Sequence, residues 1–378
     1  MRFLHTADWH IGRRLHGFDL TSEQKNAFEQ IEKIAIDEKV DGIIIAGDLY
    51  DRSMPAEDSV ALLNQMIEKL NLADKFPIYA ISGNHDSATR LSTGSKWFKQ
   101  TNFYLHTRLD QAFKPIELPD TQLFLLPYFE LFDAQQYFND ETIKHLDQAF
   151  KPIAEKMKTQ FNPQKKHILV AHFFADGSTQ TASETQLTVG GLAAVPVALL
   201  QDFDYVALGH LHGKDALHAD NARYSGSPVK FSLSEANQQK GVFIVDTDPV
   251  KLTFKPIKPL WDVQKLTETF ATLTDKDFYQ QLNLDNYYGI TLQDTKPIPN
   301  VLAQLRNIYP HIISLDRENG YETAIDYRGE SGKQIRQKDP MALLADFYQQ
   351  IAKEDLTEQQ KKWATEALKA ANDGGKKS

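Results

Sequence analysis

The sequence predicts an α/β protein: parallel βαβ units first, then a small α+β domain, then a helical pair at the C-terminus. Three observations point there. From residue 1 to about 86, short apolar runs alternate with helical stretches, the pattern of a parallel sheet. Five apolar runs (Arg2–Thr6, Gly42–Ala46, Ile78–Ile81, His167–Ala171 and Tyr205–Leu208) stop at residues that bind hard metal ions. The proline-punctuated stretch Lys255–Pro259 then separates this pattern from a different one, as linkers do.

Each of the five runs has the length and β-branched content of a buried strand. Thr21-Ser22-Glu23-Gln24 fits a capping box and predicts a helix with Phe28, Ile31 and Ala35 on one face. After Pro55, the residues Val60, Leu63, Ile67 and Leu70 recur at helical spacing. Residues 103–130 read as further strands, among them Leu123–Leu126, and 140–160 as a helix with Ile143, Leu146, Phe150 and Ile153 on one stripe. Residues 176–200, with Gly190-Gly191 and Pro196, read as a long loop, and such loops are usually functional. Ala222–Ser234 and Gly241–Asp246 look like antiparallel strands, and residues 262–328 mix short strands with a helix near 298–308. Leu344, Phe347 and Ile351 form the stripe of one terminal helix. Thr357-Glu358-Gln359-Gln360, a second capping box, starts another with Trp363, Ala364, Ala367, Leu368 and Ala371 on one side and Gly374-Gly375 at its end. The expected domains are 1–257, 258–335 and 336–378. Periodicity leaves two uses open for the terminal pair: packing on the small domain, or docking to a partner helix or coiled coil.

At 378 residues there is room for two domains. No run approaches the roughly 18 apolar residues of a membrane span. Asp8 and His10 interrupt the only apolar stretch near the N-terminus, so it does not read as a secretory signal. The absence of cysteine removes disulfides and thiolate metal sites. A cytoplasmic protein away from membranes is expected. A net charge of −9 argues at first against a nucleic-acid partner, but bound divalent cations would make a site electropositive in itself.

In α/β folds ligands gather at the C-terminal ends of the strands. Seven side chains are therefore expected together on one sheet edge: Asp8, His10, Asp48, Asn84, His172, His210 and His212. Asp8-x-His10 and His210-x-His212 each place two side chains on the same side of an extended chain. Asp48 can offer both carboxylate oxygens to two ions, and Asn84 adds an oxygen without charge. Mixed nitrogen and oxygen donors without thiolate suit manganese, iron or zinc better than calcium, and disfavour copper. His85 stands beside a donor, where a general acid or charge-stabilising group belongs, and Asp86 is expected to hold its ring in one tautomer. Gly47, Gly83 and Gly209 are expected to permit tight turns beneath the donors. Each motif alone is weak; Gly83-Asn84-His85-Asp86, for example, also fits a plain turn. Five strand ends carrying such residues in order point to a metal centre.

Taken together, Asp8-x-His10, Gly47-Asp48, Gly83-Asn84-His85-Asp86, His172 and Gly209-His210-x-His212 resemble the calcineurin-like metallophosphoesterase signature. Within it, His5–Gly12, Ala46–Arg52, Ala207–His212 and Tyr224–Glu235 are similar to the SbcD family of nuclease subunits. The resemblance covers about residues 1–246 by motif and the remainder by general layout. It implies a β-sandwich core flanked by helices and two divalent ions, manganese in that family. Asp8, His10, Asp48 and His212 would hold one ion, and Asp48, Asn84, His172 and His210 the other. His85 would face the scissile phosphate. The implied activity is a DNA exonuclease on duplex ends and an endonuclease on hairpins or single strands, serving DNA repair and recombination. The implied partners are DNA, an SbcC-type ABC ATPase gripped through the C-terminal helices, and a second copy of the chain, with the first helices as the candidate dimer surface. The domain at 258–335 would be a cap that helps to hold DNA. Two other functions fit such a site: a phosphomonoesterase or protein phosphatase, because a shared centre does not fix the substrate, and a non-catalytic scaffold, whose mark would be a lost donor.

Overall fold

The computed structural model describes residues 1–184, 194–318, 339–352 and 354–374. Gly190-Gly191 of the expected long loop, residues 319–335 of the expected small domain, residues 336–338 of the expected terminal segment, Gly375, and the side chains of Phe347, Ile351 and Ala371 lie outside the described residues. The chain forms two compact units, Met1–Lys265 with Asp285–Tyr288, and Leu266–Leu284 with Gly289–Ser378.

The first unit is a sandwich of two sheets. The six-stranded sheet runs in the order Val250–Pro256, Gly241–Thr247, Arg2–Thr6, Gly42–Ala46, Ile78–Ile81, Phe103–His106. Its last four strands are mutually parallel, and Gly241–Thr247 is antiparallel to both neighbours. The five-stranded sheet runs Ala222–Tyr224, Tyr205–Gly209, Lys166–His172, Thr121–Leu126, Ile116–Glu117, parallel except for the last strand.

Alternation along a strand explains the layers, because successive side chains point to opposite faces. A run such as Gly42-Ile43-Ile44-Ile45-Ala46 has to be covered on both. Ile44, Phe3, Tyr79 and Ile81 meet Leu125, Val170 and Ala207 of the other sheet. Ile43, Ile45 and Leu4 pack instead against Ile31, Ala35, Leu63 and Met66 of the helices Thr21–Asp37 and Glu57–Glu68. On the far side, Phe124, Leu169 and Val206 are covered by Phe150, Ile153 and Met157 of the helix Leu146–Lys158. Each such burial is worth roughly 1.5–3 kcal/mol. The outcome is the expected α/β sandwich, helix on sheet on sheet on helix.

Three local expectations fail for identifiable reasons. The donor-bearing strands do not share one sheet: three lie in the six-stranded sheet and two in the five-stranded one. Ala222–Ser234 is not an antiparallel strand. Only Ala222–Tyr224 pairs, in parallel with Tyr205–Gly209, because Gly226 turns the chain at φ +73° and Pro228 has no N–H to give a ladder. Thr21 does not cap its helix either. It lies inside the first turn and donates its N–H to the Asp19 carboxylate at 2.8 Å. Gln24 is thereby released for a different task near the strand ends.

A three-stranded sheet, ordered Val263–Glu268, Tyr287–Leu292, Ile312–Arg317, belongs mostly to the second unit. The helix Val301–Arg306 precedes its last strand, and Leu305, Ile290 and Leu273 are buried. The chain closes with the helices Pro340–Ala352 and Glu358–Gly374. Here the capping box does form. Thr357 N–H donates to Gln360 Oε1 at 2.9 Å, and Gln360 N–H donates to Thr357 Oγ1 at 3.3 Å. Gln360 Nε2 also donates to Tyr348 Oη at 2.9 Å, tying the two helices together. Trp363 on the second helix is 60% exposed. Among the described residues no helix is long and apolar enough to cross a membrane.

Candidate metal centre

Facing sheets bring two sets of strand ends to one place. Asp8 and His10 follow Arg2–Thr6, Asp48 follows Gly42–Ala46, and Asn84 and His85 follow Ile78–Ile81. His172 ends Lys166–His172, and His210 and His212 follow Tyr205–Gly209 from the other sheet. Asp8, His10, Asp48, His172, His210 and His212 are each no more than 3% exposed. Asn84 and His85 are half-buried, so the site opens on their side.

Four of these residues have left-handed backbone: Asp8 (φ 53°), His10 (φ 43°), Asp48 (φ 52°) and His210 (φ 98°). Such residues cost about 1–3 kcal/mol each and persist where the surroundings dictate them. The surroundings do so here. Asp8 N–H donates to Gly47 O and His10 N–H to Asp48 O, both at 3.0 Å, and His210 N–H donates to Asp8 Oδ1 at 2.9 Å.

The donor atoms converge around Asp48. Asp8, His10 and His212 each offer a ligand atom within 4.8 Å of the others, as do Asp8, Asp48 and His172. His10 Nε2 lies 3.2 Å from His212 Nε2 and 3.6 Å from Asp48 Oδ2. On the other side His172 Nε2 is 3.3 Å from Asp48 Oδ2 and 3.0 Å from Asn84 Oδ1. His210 Nδ1 is likewise 3.0 Å from Asn84 Oδ1. All seven expected donors are brought together, four nitrogens and three side-chain oxygen groups without sulfur. This set fits two divalent cations of borderline character.

The electrostatics agree with that fit. Burial pushes the Asp8 carboxyl up to about 7. Burial opposes ionisation of Asp48 too, yet His172 beside it holds this carboxyl well below the usual range. Burial would lower His172, but Asp48 raises it to about 9. Burial lowers His10 well below its ordinary value and His210 to about 3. His10 and His210 are thus neutral, as a metal ion requires of its ligands, whereas His172 and Asp8 must give up a proton to bind one.

The expected role of Asp86 is corrected. Its carboxylate accepts the backbone N–H groups of Leu49 (3.1 Å), Tyr50 (3.0 Å) and Gly83 (2.9 Å), and so binds the Asp48 and Asn84 loops to each other. The His85 ring is oriented by another group, with Nδ1 2.9 Å from the backbone carbonyl of Asp51. The glycines also work differently from expectation. Only Gly47 has a positive φ. Gly83 and Gly209 serve close approach: a Cβ on Gly209 would sit 1.9 Å from Ala46 O, and one on Gly83 would sit 2.2 Å from Asp48 Oδ1.

Several residues support the centre from outside the donor set. Gln24 donates to Trp9 O at 3.3 Å and His10 O at 2.7 Å, and accepts from Gly12 N–H at 3.2 Å. Arg13 lies 3.4 Å from Asp51, whose carboxylate is 3.9 Å from His10 Nδ1. Ser183, Glu184, Glu235 and Lys240 surround His212. The signal for Glu235 was present, since it closes the Tyr224–Glu235 motif; for Ser183 and Gln24 there was none.

Comparison with known proteins agrees with this geometry. Residues 1–214 match the family model described as calcineurin-like phosphoesterase, and residues 259–351 match the one described as type 5 capsule protein repressor C-terminal domain. The chain is 35% identical over 364 residues to the SbcD subunit of the SbcCD nuclease of Staphylococcus epidermidis, covering 95% of this chain and 96% of that protein. The chain belongs to the SbcD family of calcineurin-like phosphoesterases. Among solved structures, the protein TT1561 of Thermus thermophilus is 12% identical with a TM-score of 0.39, covering 68% of this chain and 99% of that one. A dimetal phosphatase from Danio rerio is 10% identical with a TM-score of 0.38, covering 68% and 95%. In this SbcD-family chain all seven donors and His85 fall within the phosphoesterase match.

Proposed function

We propose that this chain is a manganese-dependent DNA nuclease that works in the cytoplasm with an SbcC-type ABC ATPase. The observation that carries the reading is the convergence of seven donors, six of them buried and Asn84 half-buried, in a site open to solvent beside His85. Asp8, His10, Asp48 and His212 would hold one ion, and Asp48, Asn84, His172 and His210 the other. Bound there, the ions supply Lewis-acid polarisation of a phosphoryl oxygen and acidify a water for in-line attack. The protein's own groups do the rest. His85 stands at the open side with its ring edge-on to His10, centroids 4.8 Å apart. Its Nδ1 donates to the Asp51 carbonyl, which leaves Nε2 as the ring atom that would deliver, as an N–H, the proton the leaving sugar oxygen needs. The buried walls keep bulk water from the inner face of the site.

The partner readings have their own support. Trp363 is exposed on the last helix, as an apolar docking stripe requires, which supports a coiled-coil contact through residues 336–378. A second copy would dock on the first helices, where Val60, Leu72 and Trp97 are exposed around a cavity of 690 Å³. The domain of residues 258–335 would act as the cap over DNA.

The test is cleavage of a labelled linear duplex in manganese by the chain and by His85→Ala, with and without the ATPase partner. Cleavage is expected for the parent and a loss of about 10²–10⁴-fold for the variant, with ion binding retained. Equal loss of ions and activity would move His85 into the coordination shell. Cleavage absent under every condition would overturn the nuclease reading.

A further inference from the structure

His212 is held more elaborately than any other donor. Its backbone N–H donates to Glu184 Oε1 at 2.7 Å. Its backbone carbonyl accepts from Lys240 Nζ at 2.8 Å. Its ring Nδ1 lies 2.8 Å from Ser183 Oγ. Ser183 Oγ in turn lies 2.5 Å from Glu235 Oε1, and Glu235 Oε2 lies 2.5 Å from Lys240 Nζ. Glu235 is fully buried and Lys240 nearly so. Lys240 Nζ also reaches Ser227 Oγ and Gln238 Oε1, each at 2.9 Å.

A buried carboxylate and ammonium are costly to desolvate, and two such groups seldom repay that cost by stability alone. The direction of the hydrogen bonds shows what they accomplish. A serine hydroxyl has one hydrogen and two lone pairs. The ionised Glu235 has no hydrogen to give, so the Ser183 hydrogen goes to Glu235. Ser183 Oγ can then only accept from His212, which requires the proton on Nδ1. The lone pair of Nε2 is left facing His10 and Asp8. A partner on the second ring nitrogen commonly sets which nitrogen a metal-binding histidine presents.

We propose that Ser183, Glu235 and Lys240 form a positioning relay that fixes His212 as the Nδ1–H tautomer and presents its Nε2 to one of the two ions. Lys240 locks the carboxylate in its ionised, outward-accepting state and grips the His212 carbonyl at the same time. Ser183 sits on the Thr179–Glu184 segment, which is fastened by Arg13 to Ser183 O at 2.8 Å and by Ser234 Oγ to Ala182 N–H at 3.1 Å. The relay therefore spans three separate parts of the chain and converges on one imidazole. It rests on the two-ion reading of the site, although its first readout does not.

The test uses the full chain labelled with [15N]histidine, prepared free of metal, together with Ser183→Ala, Ser183→Thr and Glu235→Gln. Long-range nitrogen spectra report the tautomer of His212, assigned by its loss in His212→Gln. The parent is expected as Nδ1–H. Ser183→Ala is expected to populate the other tautomer, and Ser183→Thr, which keeps the hydroxyl, to restore the first. Manganese titration by calorimetry is then expected to show one of two ions weakened by about 10–100-fold in Ser183→Ala and Glu235→Gln, the other unchanged. An unaltered tautomer together with unaltered affinities in Ser183→Ala would overturn the relay. If the parent bound no ion, the two-ion reading would fail, and the tautomer measurement would still decide the relay. Should Glu235→Gln not fold, the half-buried Ser183 variants carry the test alone.

Discussion

The two halves of the centre are built by different means. On one side of Asp48, the His172 ring is held by a main-chain carbonyl, with Nδ1 2.8 Å from Ala46 O, and the Asn84 loop by its own N–H groups on two neighbouring carboxylates, Asp48 and Asp86. Gly83 and Gly209 allow these strands to come close. On the other side, His10 and His212 are held by side chains that arrive from elsewhere: Gln24, Ser183, Glu184 and Lys240. A main-chain support changes little when a side chain is replaced, whereas a side-chain support can be removed one atom at a time. The same chemistry thus rests on one rigid half and one adjustable half.

The largest effect is expected where the halves meet. Asp48 faces His10 on one side and His172 on the other. Asp48→Ala should abolish tight binding of both ions and lower cleavage by about a thousandfold or more, since a two-ion clamp contributes several kcal/mol. Manganese titration and duplex cleavage measure both. If one ion remained at parental affinity, Asp48 would serve a single half.

Proton release separates the halves next. Ligands must lose their protons to bind an ion, so affinity rises with pH by about tenfold per unit for each proton displaced. Asp8 titrates near about 7 in the ion-free site, raised by burial. His172 titrates near about 9, where Asp48 outweighs the burial that would lower it. Binding of the ion next to Asp8 should climb from about pH 6 and level off above about 7. The ion next to His172 should go on climbing towards about 9. Calorimetry in buffers of different ionisation enthalpy counts the protons, and a common plateau for both ions would remove the distinction.

The difference between the halves also decides what could be read from the sequence. The backbone-held half was legible because its elements are local: an apolar run, a glycine, a donor. Asn84 and His210 follow that pattern, His172 ends its run directly, and the continuous apolar, β-branched runs foretold strands at each. The side-chain-held half was legible only in its donors. Gln24 looked like the last position of a capping box, yet its contacts are with Trp9, His10 and Gly12, and nothing local distinguishes those two uses. Ser183 lies 29 residues from His212 and Glu235 lies 52 from Ser183, so their meeting depends on the packed fold. Asp86 was misread for a related reason. Adjacency to His85 suggested a side-chain contact, but three backbone N–H groups compete for the same carboxylate and win.

Close approach can be tested directly in the rigid half. An added Cβ at Gly209 would meet Ala46 O, a main-chain atom that cannot swing away, at 1.9 Å. Gly209→Ala should lower stability by about 3 kcal/mol, the upper end of overpacking costs, and should disturb His172, whose Nδ1 would lie 2.9 Å from the same Cβ. Denaturant unfolding checks the first effect and manganese titration the second. A neutral substitution would show that the sheets can part at this edge.

The adjustable half should yield the smallest change. Gln24→Ala removes a donor from His10 O and Trp9 O and an acceptor from Gly12 N–H. The lost bonds are worth about 1–2 kcal/mol in stability, because some of these backbone groups can turn to water once the side chain is gone. No donor to either ion is deleted. The effect on metal should therefore fall on the ion bound by His10 and leave the one bound by His172 untouched, visible as one weakened step in a manganese titration. Equal weakening of both steps would mean that the two halves move as one body, and the contrast between main-chain and side-chain support would then be one of construction only, without consequence for binding.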